Sequence, residues 1–270
     1  MEFHEQNGLC VAAFKSLAKF PGLIHGVTTR GGGSSAGAFE GLNLGAHVGD
    51  SEAAVRANYE ALSRAYGFDL HKVVSSHQVH GAEVACVAGM PEKSGTFPFG
   101  HCLEGYDGFI TDIPGIILMV RVADCVPVIL YEPEHAVVAV VHAGWRGTAE
   151  GIAKKAACLM EQRYGCDAAS MYAGVGPSIG PCCYEVGGDV AEKIRGSLPD
   201  SRRVLAQEGQ DVFSLDLQEA NRLQLVEAGL DPARIEMSFL CTACNLHLFF
   251  SHRGEQGKTG RFALFAGLRA

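Results

Sequence analysis

The sequence holds one tryptophan, 22 lysines and arginines against 30 acidic residues, and no uninterrupted apolar run long enough to cross a bilayer. A formal charge of −8 excludes a general polyanion binder, so no nucleic-acid partner is expected, although a local basic pocket for phosphate stays open. The most apolar stretch, Ile113 to Tyr131, is interrupted by Pro114, Arg121, Asp124 and Pro127 and reads as buried strands around a loop, so no membrane partner is expected either. Ten cysteines in 270 residues are too few for a disulfide-stapled secreted fold. The opening Met1-Glu2-Phe3-His4-Glu5 lacks the basic leader and apolar stretch of a signal peptide, so the expected compartment is the cytoplasm, with reduced thiols. What is abundant is apolar content, 47%, enough for a sizeable core, and glycine, 34 residues, which points to tight turns and close backbone approaches. The length favours a single domain over residues 1–270.

Helical periodicity is clearest over Glu52 to Tyr66, Thr148 to Tyr164 and Asp216 to Ala228, each followed by a glycine suited to a C-cap. Short β-branched and aliphatic runs at Ile24–Thr28, Val73–Ser76, Val84–Val87, Gly108–Thr111, Ile116–Val122, Val126–Tyr131, Ala136–Val141, Met171–Val175 and Phe262–Ala266 read as strands. This mixture predicts an α/β or α+β fold. Gly89–Gly105 reads as a long surface loop, and Ser197–Gln210 is weakly patterned.

Val126–Tyr131 and Ala136–Val141 flank Glu132-Pro133-Glu134-His135, a composition suited to a tight reversal. A bulge-free hairpin pairing Tyr131 with Ala136 places Cys125 opposite His142, within reach of one metal or of each other. Pro127, lacking an N–H, is expected where this strand end lies at a sheet edge or is already leaving the sheet. Ser75-Ser76-His77-Gln78-Val79-His80-Gly81 adds two histidines at the end of another short strand. One thiolate and two imidazoles make the donor set of a catalytic zinc site with one open position. The same groups also suit a metal-free cysteine hydrolase, with Cys125 as nucleophile and His142 as base, or a copper redox protein.

Thr28-Thr29-Arg30-Gly31-Gly32 with Leu42-Asn43-Leu44-Gly45, Ser76-His77-Gln78-Val79-His80-Gly81, Ala123-Asp124-Cys125-Val126-Pro127, His142-Ala143-Gly144-Trp145-Arg146-Gly147, Gly174-Val175-Gly176-Pro177-Ser178-Ile179-Gly180 and Phe250-Ser251-His252-Arg253 resemble, in this order, the motifs of the YfiH family. That family is also called the multicopper polyphenol oxidase (laccase-like) family, and its members are described as purine nucleoside phosphorylases with adenosine deaminase activity. The resemblance implies a four-layer α/β/β/α sandwich with mixed sheets, related to bacterial toxin deamidases. It implies zinc, with copper as the alternative, bound by His80, Cys125 and His142, and His77 as a neighbour. It also implies phosphorolysis of adenosine, inosine and methylthioadenosine, and deamination of adenosine.

Within that reading, Arg30, Arg146 and the Gly31–Gly33 backbone are candidates for phosphate, because guanidinium forks and bare N–H groups suit tetrahedral oxyanions. Asn43 and Gln78 are candidates for the nucleoside, and Asp124 for proton transfer or for orienting a ligand imidazole. Each has a structural alternative: the arginines can pair with carboxylates, Asn43 can cap a turn, and Asp124 can satisfy buried donors. Trp145 can stack a purine or pack in the core. Cys241, Cys244, His247 and His252 have the spacing of a compact second metal site, against which their apolar surroundings argue for core packing. Cys182-Cys183 reads as structural. No heptad repeat points to a protein partner, and the oligomeric state is left open.

Overall fold

The computed structural model describes residues 1–90, 100–198 and 200–270. Strand alternation, which sends successive side chains to opposite faces, builds its layers. In the paired strands Val126–Glu132 and Val137–Ala143, one face carries Val126, Val128, Leu130, Val137, Ala139 and Val141. This face packs on Ile152, Ala153, Ala156 and Met160 of helix Ile152–Tyr164 and on Leu225 of helix Leu217–Glu227. The other face, with Ile129, Tyr131, Val138 and Val140, meets Leu118, Val120, Phe262 and Leu264 of a second sheet. The far side of that sheet, through Ile117, Met119, Ala263 and Phe265, covers Val55, Tyr59 and Leu62 of helix Glu52–Tyr66. The result is helix, sheet, sheet, helix: the four-layer sandwich the resemblance implies.

The first sheet has six strands in the order Ile235–Met237, Tyr172–Val175, Val126–Glu132, Val137–Ala143, Gly108–Thr111 and Val84–Cys86, with parallel pairs at both edges. The second has seven: Glu2–Gln6, Leu9–Ala13, Leu23–Thr28, Phe262–Leu268, Ile117–Val122, Val73–His77 and His101–Glu104, antiparallel until the last two pairings. A small sheet joins Glu185–Gly187, Val212–Leu215 and Leu205–Gln207. No helix among the described residues is long and apolar enough to cross a membrane.

Helix Glu52–Tyr66 has the expected bounds, capped by Ser51 and by Gly67 in the left-handed region at φ 70°. The expected helix from Thr148 is instead two, Trp145–Ala149 and Ile152–Tyr164, because Gly151 turns left-handed between them at φ 76°. The Gly89–Gly105 loop falls largely on residues 91–99, outside the described residues, and its far end forms the edge strand His101–Glu104. The central hairpin is also corrected. Glu132 pairs with Val137, so His142 lies opposite Pro127 and Cys125 is displaced by two positions from the expected partner. The Glu132 carboxylate accepts the N–H groups of Glu134 and His135, and Ala136 takes φ 52°, which moves the four-residue turn one residue along. A two-residue displacement keeps the face unchanged. Pro127, expected at an edge or where the strand leaves the sheet, is the second residue of a strand interior to the sheet, so the edge alternative is corrected while its place at the strand's end stands; its carbonyl accepts the N–H of Gly176.

Candidate active site

Strands Ile117–Val122 and Val137–Ala143 end, and Val126–Glu132 begins, around a cleft of about 690 Å³. His142 enters from the last turn of its strand, Cys125 from the turn before Val126, and His80 from the loop after Val73–His77. Their ligating atoms all lie within 4.8 Å of one another, and the rings of His80 and His142 meet edge-on at 4.8 Å between centroids. His142 is buried, Cys125 half-buried, and His80 exposed to the cleft, so the group has a closed side and an open one.

Asp107, fully buried just before strand Gly108–Thr111, ties these elements together. Its carboxylate accepts the backbone N–H groups of Val79, His80 and Gly81 at 3.2, 3.1 and 2.8 Å and contacts His142 Nδ1 at 2.7 Å. Its carbonyl accepts the N–H of His142. One residue therefore fixes the His80 loop, held at φ 60° at His80, and engages one nitrogen of His142, leaving Nε2 as that ring's second nitrogen. Gly144 and Gly147 permit the close approach. A Cβ on Gly144 would stand 3.1 Å from His80 Cδ2 and 3.2 Å from Cys125 Sγ, and one on Gly147 would stand 2.5 Å from the Gly81 carbonyl oxygen.

Burial alone would push the Cys125 thiol up, but His142 and then His80 outweigh it and bring it down to about 6. Burial likewise opposes charge on His142, yet Cys125 and Asp107 raise it to about 9. These opposite shifts, each driven by the other group, favour a thiolate–imidazolium pair. One sulfur and two imidazole nitrogens at this separation also fit a tetrahedral cation with one position left, so the group could hold a metal.

The expected site residues divide sharply. Gln78 lines the cleft, its amide donating to the Arg121 carbonyl and accepting the Arg121 N–H, both at 2.9 Å. Arg146 lines it too, its guanidinium 4.3 Å from the Trp145 ring. His77 lines it as a neighbour, outside the group of three that could hold a metal. Arg30 and Asn43 are not among its lining residues. Arg30 is spent on the Leu246 carbonyl, Glu255 and the face of Phe250. Asn43 is fully buried and ties Asp50, Gly45 and the Arg261 N–H together. Gly32 and Gly33, at φ 82° and 83°, press on the backbones of Gly8 and Gly41 rather than facing the cleft.

Asp124 lines the cleft, but its carboxylate accepts from Thr242 Oγ1, Ser251 Oγ and the Arg253 N–H, each at 2.6 Å. The carboxylate that orients a candidate ligand ring is Asp107, not Asp124. Sequence reasoning missed it because an isolated Asp before a strand carries no motif. It also missed Arg121 and Arg261, which line the cleft with His47 and Arg253. Desolvation, then the guanidiniums of Arg121 and Arg261, lower His47 to about 4 and keep it neutral. Of the four second-site candidates, His252 lines this cleft, whereas Cys241 and Cys244 gather elsewhere with Cys182 and Cys183.

Residues 24–269 match the family described as multi-copper polyphenol oxidoreductase laccase. A Geobacillus stearothermophilus protein named purine nucleoside phosphorylase YlmD is 41% identical, with 93% of this chain and 92% of that protein covered. A protein of an unknown prokaryote named adenosine deaminase RL5 is 37% identical, with 87% and 89% covered. The crystal structure of a Bacillus licheniformis protein called YfiH superposes with a TM-score of 0.92 at 37% identity, covering 99% of both chains.

Proposed function

The chain belongs to the multi-copper polyphenol oxidoreductase laccase family, and from that premise we propose that it is a zinc-dependent purine nucleoside phosphorylase that also deaminates adenosine. Its substrates are adenosine, inosine or methylthioadenosine with phosphate, and its products are the free base and ribose 1-phosphate. The observation that carries the reading is the meeting, in one cleft, of the His80, Cys125 and His142 donor set with a wall of arginines.

His80, Cys125 and His142 would hold the zinc. When bound, that ion supplies Lewis-acid charge at the open side of the donor set and makes water acidic enough to act near neutral pH, which suits hydrolytic loss of the adenine amino group. Arg121, Arg146, Arg253 and Arg261 line the cleft against the carboxylates of Glu52 and Asp124, which makes it locally cationic in an acidic protein and suited to phosphate. Neutral His47 adds a hydrogen-bonding nitrogen beside them. In phosphorolysis a phosphate oxygen bonds to C1′ of the ribose while the bond from C1′ to the base breaks and the base takes up a proton. Burial, then the nearby Cys125, push the Tyr184 hydroxyl up to about 12, so it stays protonated as a donor in the cleft. Asp124 acts as a positioning residue, holding the left-handed turn at φ 86° that presents Cys125. Gln78 fixes the Arg121 backbone, and Arg146 with Trp145 borders the nucleoside.

The thiolate–imidazolium pair supports one second reading, a metal-free cysteine hydrolase with Cys125 as nucleophile and His142 as its base. The test is release of adenine or hypoxanthine by purified protein with and without phosphate. Phosphate-dependent release that chelation abolishes, zinc restores and His80→Ala removes is the expected result. Turnover no higher than that of His80→Ala contradicts the proposal. Phosphate-independent hydrolysis by stripped protein, blocked by thiol alkylation, supports the hydrolase instead, and oxygen uptake that requires copper supports a copper oxidase.

A further inference from the structure

Outside the cleft, four cysteines converge from two distant segments. Cys182 and Cys183 lie in the turn after Gly180-Pro181, and Cys241 and Cys244 in the turn Cys241-Thr242-Ala243-Cys244. Their four sulfur atoms lie within 4.8 Å of one another, with Cys244 Sγ 3.6 Å from Cys182 Sγ and 3.4 Å from Cys183 Sγ. A disulfide needs sulfurs about 2.05 Å apart, and all four cysteines are free. Four thiolates around one zinc, each bonded at about 2.3 Å, stand about 3.8 Å from each other at the corners of a tetrahedron. The observed separations are close to that edge and far from a covalent bond.

The surroundings match such a role. Cys241 Sγ accepts the N–H of Gly180 at 3.2 Å, a contact that stabilises a sulfur carrying negative charge. The two segments are also laced by backbone hydrogen bonds: Ser178 N–H to the Leu240 carbonyl, and Thr242 N–H to the Ser178 carbonyl. These bonds involve no sulfur, so the register that brings the four sulfurs together has support independent of them. None of the four residues lines the cleft, and Cys182 and Cys244 are exposed, so a cation has access from solvent.

We propose that Cys182, Cys183, Cys241 and Cys244 form a second, structural metal site that binds one zinc ion through four thiolates. With every coordination position taken by protein, the site has no place for substrate. It acts as a clip between the 176–184 and 238–245 segments. Those segments supply Ile179 and Tyr184 to the cleft wall and Thr242 to the Asp124 carboxylate, and the Arg253 guanidinium reaches the Cys183 carbonyl at 3.4 Å. Binding displaces the thiol protons, so uptake of zinc releases acid. His247 and His252, which the spacing to Cys241 and Cys244 suggests as ligands, take no part.

The test separates this site from the cleft by removing the cleft donors. The double variant His80→Ala, Cys125→Ala, prepared under reducing conditions and dialysed against metal-free buffer, is analysed by plasma mass spectrometry. It is expected to retain about one equivalent of zinc per chain. A thiol-specific mercurial should release that zinc as the four cluster thiols react, and Cys241→Ser with Cys244→Ser should remove that release. Exchange for cobalt(II) should give the intense near-ultraviolet charge transfer of a multi-thiolate tetrahedral site. Adding Cys241→Ser and Cys244→Ser should bring the metal to background; because that protein can fail to fold, the mercurial titration and cobalt spectrum on the double variant decide the question. Absence of zinc and of the cobalt spectrum in the folded double variant, with the four cluster thiols free alongside its other five, overturns the proposal. So does an intact mass two hydrogens low with no metal, which identifies the cluster as a dithiol–disulfide pair instead. Failure of phosphorolysis leaves this result untouched, since the double variant lacks two of the three cleft donors.

Discussion

Asp107 shows how much of a site can depend on a buried residue that does not line the cleft. Its carboxylate gathers three N–H groups of the His80 loop and one ring nitrogen of His142. Burial opposes its charge, but the hydrogen bonds and His142 hold its pKa below the usual carboxylate range. Asp107→Asn keeps the shape while removing the charge and placing an NH2 against N–H donors. Carboxylates that hydrogen-bond the far nitrogen of a ligand imidazole in this way are worth about 10–100-fold in metal affinity. We expect zinc affinity, measured by chelator competition, to fall by that factor with an unchanged circular dichroism spectrum; wild-type affinity would show that Asp107 does not hold the ligands. At this scale motifs pointed to His80, Cys125 and His142, which the fold gathers within 4.8 Å, and to Gln78 and Arg146, which line the cleft, because type and order are visible in a sequence. They misplaced Arg30 and Asn43, whose partners Glu255 and Asp50 are absent from their motifs. Arg121 reads only as an interruption of an apolar strand until the fold turns that strand end into the cleft.

Between elements, the decisive contact is backbone on backbone. Helix Trp145–Ala149 approaches the Gly81 carbonyl so closely that Gly147 leaves no room for a methyl group. Gly147→Ala must therefore push the His80 loop away from His142. Overpacking of this kind costs about 1–3 kcal/mol. The expected outcome is a loss of that size in a denaturation experiment together with weaker zinc binding. Gly196→Ala, with no atom within 4 Å of the added carbon, should leave zinc binding unchanged. Equal zinc binding by Gly147→Ala and wild type would break the link between helix and ligand loop. The hairpin gives the corresponding lesson about register. The reversal at Glu132 to His135 is legible from composition, whereas its position depends on the Glu132 carboxylate capturing the turn N–H groups. The resulting displacement is even, so Cys125 and His142 remain neighbours although they are not the directly opposed pair.

Across the whole molecule, four layers arise because alternate residues of the same strands feed three separate apolar clusters. Most of those strands are visible as aliphatic runs. Glu2–Gln6 is not, since it is an edge strand of mixed polarity, and neither is the small sheet around Val212–Leu215. Layer order lies beyond periodicity and came from the family resemblance. Charge is also distributed at this scale: a chain with net charge −8 gathers four arginines around one cleft. The central claim is that His80, Cys125 and His142 share one cation there. Crystals grown with zinc and measured on both sides of the zinc absorption edge test it directly. The account predicts an anomalous peak about 2.3 Å from Cys125 Sγ and about 2.0–2.1 Å from one ring nitrogen each of His80 and His142. Density for three ordered side chains with no peak between them would contradict it.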